Sequence, residues 1–274
     1  MDTNISDLLD TALAETVKEN LYFLFRSFDK SSLVNFNQTT QSLRWVTPVA
    51  HPWFNGVLSL RKPDANSIQE VHTHAEYFRS HFVEGVTWWV VPQVDVTTWL
   101  PILVKEGFIF DDDTPGMAMD LKNLPVVSLP GQLEIRQVMN AEDLWLWTHV
   151  FIRGYGLSND FNLPYYGLMA SLGIDLPFRH YIGYLNNKAV AASTLLLGAG
   201  SAGIYNVATL PGARGKGIGS AMTLYPLLEA RQLGYLVGVL QSSEMGLPVY
   251  LRLGFRQVCK MEHFFKRIDD NTPV

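Results

Sequence analysis

The chain has 274 residues, 21 Lys and Arg against 26 Asp and Glu, and a formal net charge of −5. Hydrophobic residues make up 47% and charged residues 17%, enough for a substantial core and unlike a disordered chain. A lone cysteine, Cys259, excludes a disulfide scaffold or a cysteine-rich zinc site, and no apolar run approaches the ~18 residues of a membrane span.

Residues 6–27 read as a helix, with Leu8, Leu9, Leu13, Val17, Leu21 and Leu24 at helical spacing and Ser6-Asp7 as its start. The acidic residues 1–10 lack a basic-then-apolar leader, so a cytoplasmic protein is expected. Strands are predicted at 43–47 and 53–60. Arg61-Lys62-Pro63-Asp64 interrupts the pattern before a helix over 65–82. A dense apolar strand at 87–91 and a short helix at 99–106, stopped by Gly107, follow. Asp111-Asp112-Asp113 reads as a turn before a strand at 117–121. Pro125, Pro130 and Gly131 mark 125–131 as a linker between two domains, 1–124 and 132–274.

The second domain opens with a strand at 133–138 and a helix at 141–155 that Asn140 can cap. A loop at 154–164 leads to a short helix ending at Leu172. Strands at 179–185, 189–197 and 203–209 are separated by Asn186-Asn187 and by 198–203. A helix at 217–233, a strand at 235–240, a short helix at 245–253 and two final strands within 255–268 complete the pattern. Strands and helices mixed in this way belong to the α/β or α+β class.

Charge is unevenly placed. Residues 1–130 carry 9 basic and 16 acidic side chains, and residues 131–274 carry 12 and 10. Neither half is basic enough for a nucleic-acid surface, but an anionic small ligand should prefer the second.

The most informative stretch in that half runs from Val207-Ala208-Thr209 through Leu210-Pro211-Gly212-Ala213 to Arg214-Gly215-Lys216-Gly217-Ile218-Gly219-Ser220. It joins a strand to a helix. Glycines let the backbone approach a ligand, a helix start offers unpaired N–H groups and a positive dipole end, and Arg214 and Lys216 add charge. Such a site suits phosphate or pyrophosphate. A Walker loop would need glycine at Leu210 and Ser or Thr at Gly217. A dinucleotide loop would need glycine at Ser220 or Met222. What fits is Arg-x-x-Gly-x-Gly, as Arg214, Gly217 and Gly219.

This segment resembles the coenzyme A loop of the GNAT acyltransferase superfamily. The resemblance implies a mixed, mostly antiparallel sheet flanked by helices. It also implies acetyl-CoA as acyl donor, with no metal. Val207, Ala208 and Thr209 would then lie along the pantetheine arm, and Arg214, Gly215, Lys216, Gly217, Ile218, Gly219 and Ser220 would cradle the pyrophosphate. The alternative is a glycine-rich connector without a ligand.

A second motif, from Ser243 to Tyr250-Leu251-Arg252-Leu253-Gly254-Phe255, is similar to the segment that closes the family's site. Ser243 falls among the cofactor-binding positions. Tyr250 stands four residues before Gly254, where the family places a tyrosine near the thiol. A phenol's ordinary pKa near ~10 lies above a thiol's ~8.5, so Tyr250 can hydrogen-bond and protonate a departing thiolate only slightly uphill. Alternatively it only packs against the pantetheine. Family members often carry a glutamate on the strand before the loop, but Gly203-Ile204-Tyr205-Asn206-Val207 has no carboxylate. Asn206 could orient an acceptor; Asp160 and Glu244 could act through a water, or bulk water could take the proton.

Other groups are less promising. His72 and His74 are two apart on a helix and face different ways. The remaining histidines are scattered, and Cys259 reads as a small apolar strand residue.

The first half reads as a worn copy. Its helix at 99–106 ends in Gly107-Phe108 as the later one ends in Gly254-Phe255, but Arg61-Lys62-Pro63-Asp64-Ala65-Asn66 has no glycine and Leu103 replaces the tyrosine. The resemblance therefore points to a tandem protein whose second domain transfers acetyl from acetyl-CoA to a primary amine of a small molecule or peptide, with no nucleic acid or membrane partner. The alternative is a non-catalytic acyl-CoA-binding module. A transferase using aminoacyl-tRNA is disfavoured by the acidic balance.

Overall fold

The computed structural model describes residues 10–81, 83–91, 94, 96–126 and 129–268. The expected helix start at Ser6-Asp7 with Leu8 and Leu9, Phe82 at the end of the next helix, and Val127 and Ser128 of the expected linker lie outside the described residues. In chain order the elements are α1 (Asp10–Arg26), β1 (Asn35–Gln38), β2 (Ser42–Val46), β3 (Gly56–Ser59), α2 (Ser67–Ser80), β4 (Gly85–Val90), α3 (Val96–Lys105) and β5 (Ile109–Asp120). Then follow β6 (Leu133–Gln137), α4 (Ala141–Gly154), α5 (Asn162–Leu172), β7 (Phe178–Leu185), β8 (Lys188–Gly198), β9 (Ser201–Thr209), α6 (Ile218–Gln232), β10 (Val237–Gln241), α7 (Leu247–Arg252) and β11 (Arg256–Arg267).

These elements form two compact units, and neither is one continuous stretch. The first unit is Phe25–Thr114 together with the chain from Cys259 onward; the second is the chain up to Leu24 together with Pro115–Val258. They share a strand plan, with one more antiparallel strand in the second. In the first, β1, β2 and β3 are joined antiparallel, β3 pairs parallel with β4 across the α2 crossover, and β11 closes antiparallel on β4. In the second, β6, β7, β8 and β9 are antiparallel neighbours, β9 pairs parallel with β10 across α6, and β5 closes antiparallel on β10. The strand after α3 therefore closes the second unit, and the strand after α7 closes the first. The division expected at 125–131 does not mark the units, because each closing strand is drawn from the other stretch of sequence.

Two local expectations are corrected. Asp111-Asp112-Asp113 is not a turn but the exposed part of the 12-residue strand β5, where Asp113 pairs with Lys260 at 2.5 Å. An acidic run mimics turn chemistry in sequence, but an exposed strand face tolerates it when a cation balances it. The segment 255–268 holds one strand, not two: β11 runs unbroken over 12 residues. The Asn140 cap forms as expected, with its side chain accepting from the Asp143 N–H at 2.9 Å.

In the first unit the core is aromatic: Trp45, Trp88 and Trp99 are at most 1% exposed, and Phe25 stacks on Trp45 at 4.0 Å. The second unit packs Met117 and Met119 of β5 with Leu195, Ile204, Met222, Leu227, Leu240 and Phe255. Helix α1 adds Leu13, Val17 and Leu21, all at most 1% exposed.

Buried Asn20 of α1 ties that helix to the β8–β9 hairpin. Its Nδ2 donates to the Gly198 carbonyl at 3.1 Å and to Ser201 Oγ at 3.0 Å, and its Oδ1 accepts from the Tyr205 hydroxyl at 2.8 Å. The approach needs two glycines: a Cβ at Gly203 would lie 2.1 Å from Asn20 Oδ1, and one at Gly198 would lie 2.2 Å from Phe23. Replacing Asn20 leaves buried groups without partners, at about 1–3 kcal/mol each. Asn20→Ala should therefore lower stability by about 3 kcal/mol in urea unfolding; a loss below about 0.5 kcal/mol, within the range of ordinary surface changes, would show that this network does not hold α1.

Candidate functional site

The parallel pairing of β9 and β10 is short. Only Gly238↔Ala202 and Val239↔Gly203 are in register, although β9 continues to Thr209 and β10 to Gln241. Beyond Gly203 the two strands part, and the β9 edge from Tyr205 to Thr209 has no β10 partner. On its other side β9 stays with β8, but Ala192↔Ala208 and Thr194↔Tyr205 leave Ser193 opposite both Asn206 and Val207. This is a β-bulge. It requires a left-handed residue, and Asn206 has φ 55°, a conformation that asparagine tolerates better than most side chains.

The glycine loop stands at the head of this opening. Gly215 and Gly217 have φ 74° and 76°, so both need glycine's freedom. Gly217 sits at the cap position of α6 with no side-chain cap. Among the described residues, the N–H groups of Gly215, Lys216, Gly217, Ile218, Gly219 and Ser220 have no backbone acceptor outside regular helix and strand bonding. A Cβ at Gly212 or Gly215 would meet nothing within 4 Å, so the loop faces open space. These unpaired donors and the α6 dipole suit a pyrophosphate.

Not every expected loop residue points toward a ligand. Arg214 turns back: its Nε donates to the Thr209 carbonyl at 3.0 Å and its Nη2 to the Gly154 carbonyl at 2.7 Å, which pins the loop to the end of α4. Lys216 Nζ reaches the Gly212 carbonyl at 3.4 Å. Ile218 is buried, and Ala208 packs so near α4 that a Cβ at Gly154 would stand 2.8 Å from it. Ser243 holds the start of α7, its carbonyl accepting from the N–H groups of Gly246 and Leu247 at 3.0 Å.

Tyr250 lies on α7, its ring 5.9 Å from that of Phe255. A Cβ at Gly246 would stand 2.8 Å from the tyrosine ring, so glycine there makes room for it. Burial, and to a lesser extent nearby Tyr155, push the Tyr250 phenol well above its ordinary value; a hydrogen bond with Thr223 of α6 opposes them. The phenol is thus a neutral donor throughout the physiological range.

Behind the bulge lies a polar chain that the sequence reading did not find. Asn206 Nδ2 donates to Thr194 Oγ1 at 3.2 Å, and Thr194 Oγ1 is 2.8 Å from Nδ1 of His180. His180 is 1% exposed, and desolvation lowers its pKa to about 4, so the ring is neutral and Nδ1 can accept from the threonine. Tyr165, 3% exposed, also bonds with Asn206, and burial raises its phenol well above the ordinary value. The available signal was Asn206 itself, a residue favoured at left-handed positions, but His180 and Thr194 join it only through strand pairing.

The corresponding place in the first unit is closed. There β3 and β4 are paired over Gly56↔Thr87, Val57↔Trp88, Leu58↔Trp89 and Ser59↔Val90. Trp88 Nε1 donates to Ser59 Oγ at 2.7 Å, and Trp99 Nε1 to the Arg61 carbonyl at 3.1 Å. His72 contacts Glu76 and Glu106, while buried His74 bonds Ser42 at 3.0 Å. No group of three metal-binding side chains is found among the described residues. No described helix is long and apolar enough to cross a membrane.

No protein-family model matches the chain, and no curated protein does. Solved structures match in shape. A GCN5-related N-acetyltransferase from Kribbella flavida superposes with a TM-score of 0.70, at 15% identity over 92% of this chain and 95% of that one. Another from Sphaerobacter thermophilus gives 0.61, at 16% identity over 87% and 84%. A tandem GNAT protein from the clavulanic acid biosynthesis pathway gives 0.58, at 11% identity over 88% and 86%. With the parted strands, the bulge and the glycine loop, these likenesses give the chain the fold of the GNAT N-acetyltransferases.

Proposed function

We propose that the second unit transfers the acetyl group of acetyl-CoA to a primary amine of a small molecule or peptide, by direct attack while both are bound. The observation that carries this reading is the parting of β9 from β10 beneath a loop of unpaired N–H groups. Acetyl-CoA supplies an activated thioester on a long arm with a pyrophosphate handle. The loop from Gly215 to Ser220 holds the handle. The unpaired β9 edge offers backbone groups to the arm and a backbone N–H to the carbonyl oxygen as negative charge develops there.

In the reaction a nitrogen–carbon bond forms and the carbon–sulfur bond breaks. The proton lost by nitrogen ends on sulfur, so no external acid or base is consumed. Tyr250 hydrogen-bonds the departing sulfur. Its raised pKa makes full proton release costlier than for an ordinary phenol, which favours a shared proton at the sulfur, replenished from solvent. No carboxylate lies on β9 to take the amine's proton. The amine therefore attacks as the free base, with water as proton acceptor. Asn206, held by Thr194, orients it. The first unit serves as scaffold rather than as a second cofactor site, and the reading places the protein in the cytoplasm, where acetyl-CoA is available.

Three outcomes are expected. Gly217→Val, strained at a positive φ, should weaken acetyl-CoA binding at least tenfold in calorimetry, about 1.4 kcal/mol; unchanged affinity would remove the loop assignment. Tyr250→Phe should lower kcat about 10²-fold with acetyl-CoA affinity nearly unchanged; full turnover would leave the tyrosine a packing role. Amine-dependent release of free coenzyme A should be seen across a primary-amine panel, whereas acetyl-CoA binding without turnover on any amine would make the chain a binding module.

A further inference from the structure

On one face of the second unit the strands line up uncharged polar side chains beside the opening. His180 is the register partner of Thr194, and Thr194 that of Tyr205. Asn206, at the bulge, joins them through its bond to Thr194. Gln241 belongs to the same face: Gly203 and Val239 are register partners, and Tyr205 and Gln241 each stand two residues further along their strands. The helices add phenols to this wall. Tyr165 of α5 bonds with Asn206, and the phenol of Tyr155, just past α4, is close enough to act on those of both Tyr165 and Tyr250.

Two observations about this wall bear on the acceptor. The first is that burial disables each group in it that could take a proton from an amine. Desolvation holds His180 neutral, with a pKa of about 4. It pushes the Tyr155 phenol up to about 12 and raises those of Tyr165, Tyr205 and Tyr250 as well, so all four are donors and none is a base. Asp160 and Glu244 are exposed, and Asp160 is bonded by the Ser158 hydroxyl at 3.0 Å. An ammonium ion gains no counter-charge from such a wall, which favours the free base. At pH ~7 an α-amine, with an ordinary pKa near ~8, is free base in roughly one molecule in ten, and an alkylamine of the lysine type, near ~10.4, in roughly one in 2,500.

The second observation is an orphaned donor. Gln241 Nε2 is buried with no hydrogen-bond partner. The Tyr205 hydroxyl lies near it but already donates to Asn20 Oδ1 at 2.8 Å. An unmade buried hydrogen bond is unfavourable, and a carbonyl oxygen of a ligand relieves it after a turn about the amide's broad terminal torsion. A carbonyl beside the amine carbon is also what makes an α-amine weakly basic. We propose that the acceptor is the α-amine of an amino-acid amide or peptide, taken as the free base, with its carbonyl oxygen on Gln241 Nε2, in preference to an alkylamine. This rests on the proposed function. The ammonium proton is left in bulk water before binding; the nitrogen–carbon bond then forms, the carbon–sulfur bond breaks, and the second proton lost by nitrogen ends on sulfur.

The test is release of free coenzyme A by the full chain with glycinamide, n-propylamine and trifluoroethylamine, the last weakly basic but without a carbonyl. At pH ~7 kcat/KM should be at least tenfold higher for glycinamide than for n-propylamine, and the gap should narrow as pH rises toward ~10, because each rate climbs until the amine's own pKa is passed. Equal values at neutral pH, or a kcat/KM that falls above the amine's pKa, would show that the ammonium form is taken and overturn the proposal. The glycinamide KM should lie at least tenfold below that of trifluoroethylamine; equal KM values would overturn the carbonyl contact, and neither readout needs a variant to fold. Gln241→Leu should raise the glycinamide KM about tenfold and narrow its advantage over trifluoroethylamine. An equal effect on both amines would make Gln241 a packing residue and also overturn the contact. Turnover of n-propylamine as fast as glycinamide leaves the transferase reading intact, whereas no release with any amine ends both.

Discussion

Two parallel pairs hold β9 to β10, and the proposed chemistry depends on the register going no further. A strand that stayed paired to Thr209 would spend its backbone groups on its neighbour. Because β9 is released after Gly203, its edge is open, and a bulge at Asn206 and Val207 shifts its register with β8 on the other side. The loop that follows β9 carries six consecutive N–H groups without a backbone acceptor outside regular helix and strand bonding. The first unit supplies the contrast within one chain: a related strand plan, one antiparallel strand shorter, in which the parallel pairing runs over four residue pairs. The extent of the parallel pairing thus separates two units of related architecture.

The exchange of closing strands makes the two units interdependent in sequence. The edge of β10 is covered by Gly116–Asp120, and that of β4 by Glu262–Arg267. An uncovered edge strand invites aggregation, so each unit needs a segment that belongs, by position in the chain, with the other. This gives a physical reason to retain the first half without any cofactor chemistry of its own.

Electrostatics follow the same division of labour. The candidate site has few formal charges in its interior. Tyr165 and Tyr250 are neutral because burial raises them, and His180 is neutral because burial lowers it. The cations Arg214 and Lys216 lie outside, on the exposed loop, where solvent reduces the cost of keeping them without a carboxylate partner. Arg214 is spent on backbone carbonyls and acts as a brace. A polar but uncharged interior suits an amine that arrives deprotonated.

The features legible in the sequence were local ones. The spacing of Arg214, Gly217 and Gly219 and the placing of Tyr250 before Gly254-Phe255 are set by turns and helix ends, whose chemistry lies within a few residues. The missing glycines of Arg61–Asn66 were legible for the same reason, as was the Asn140 cap. Asp111-Asp112-Asp113 misled because a turn and an exposed strand share composition, and only Lys260, far along the chain, distinguishes them. The strand exchange, the release of β9 after two pairs, and the line from Asn206 through Thr194 to His180 had no local signature. Hydrogen-bond partners in a sheet are chosen by the whole chain's packing, so the amino-acid order determined the loop and the tyrosine, and the tertiary structure alone decided the exchange of closing strands and the early release of β9 from β10.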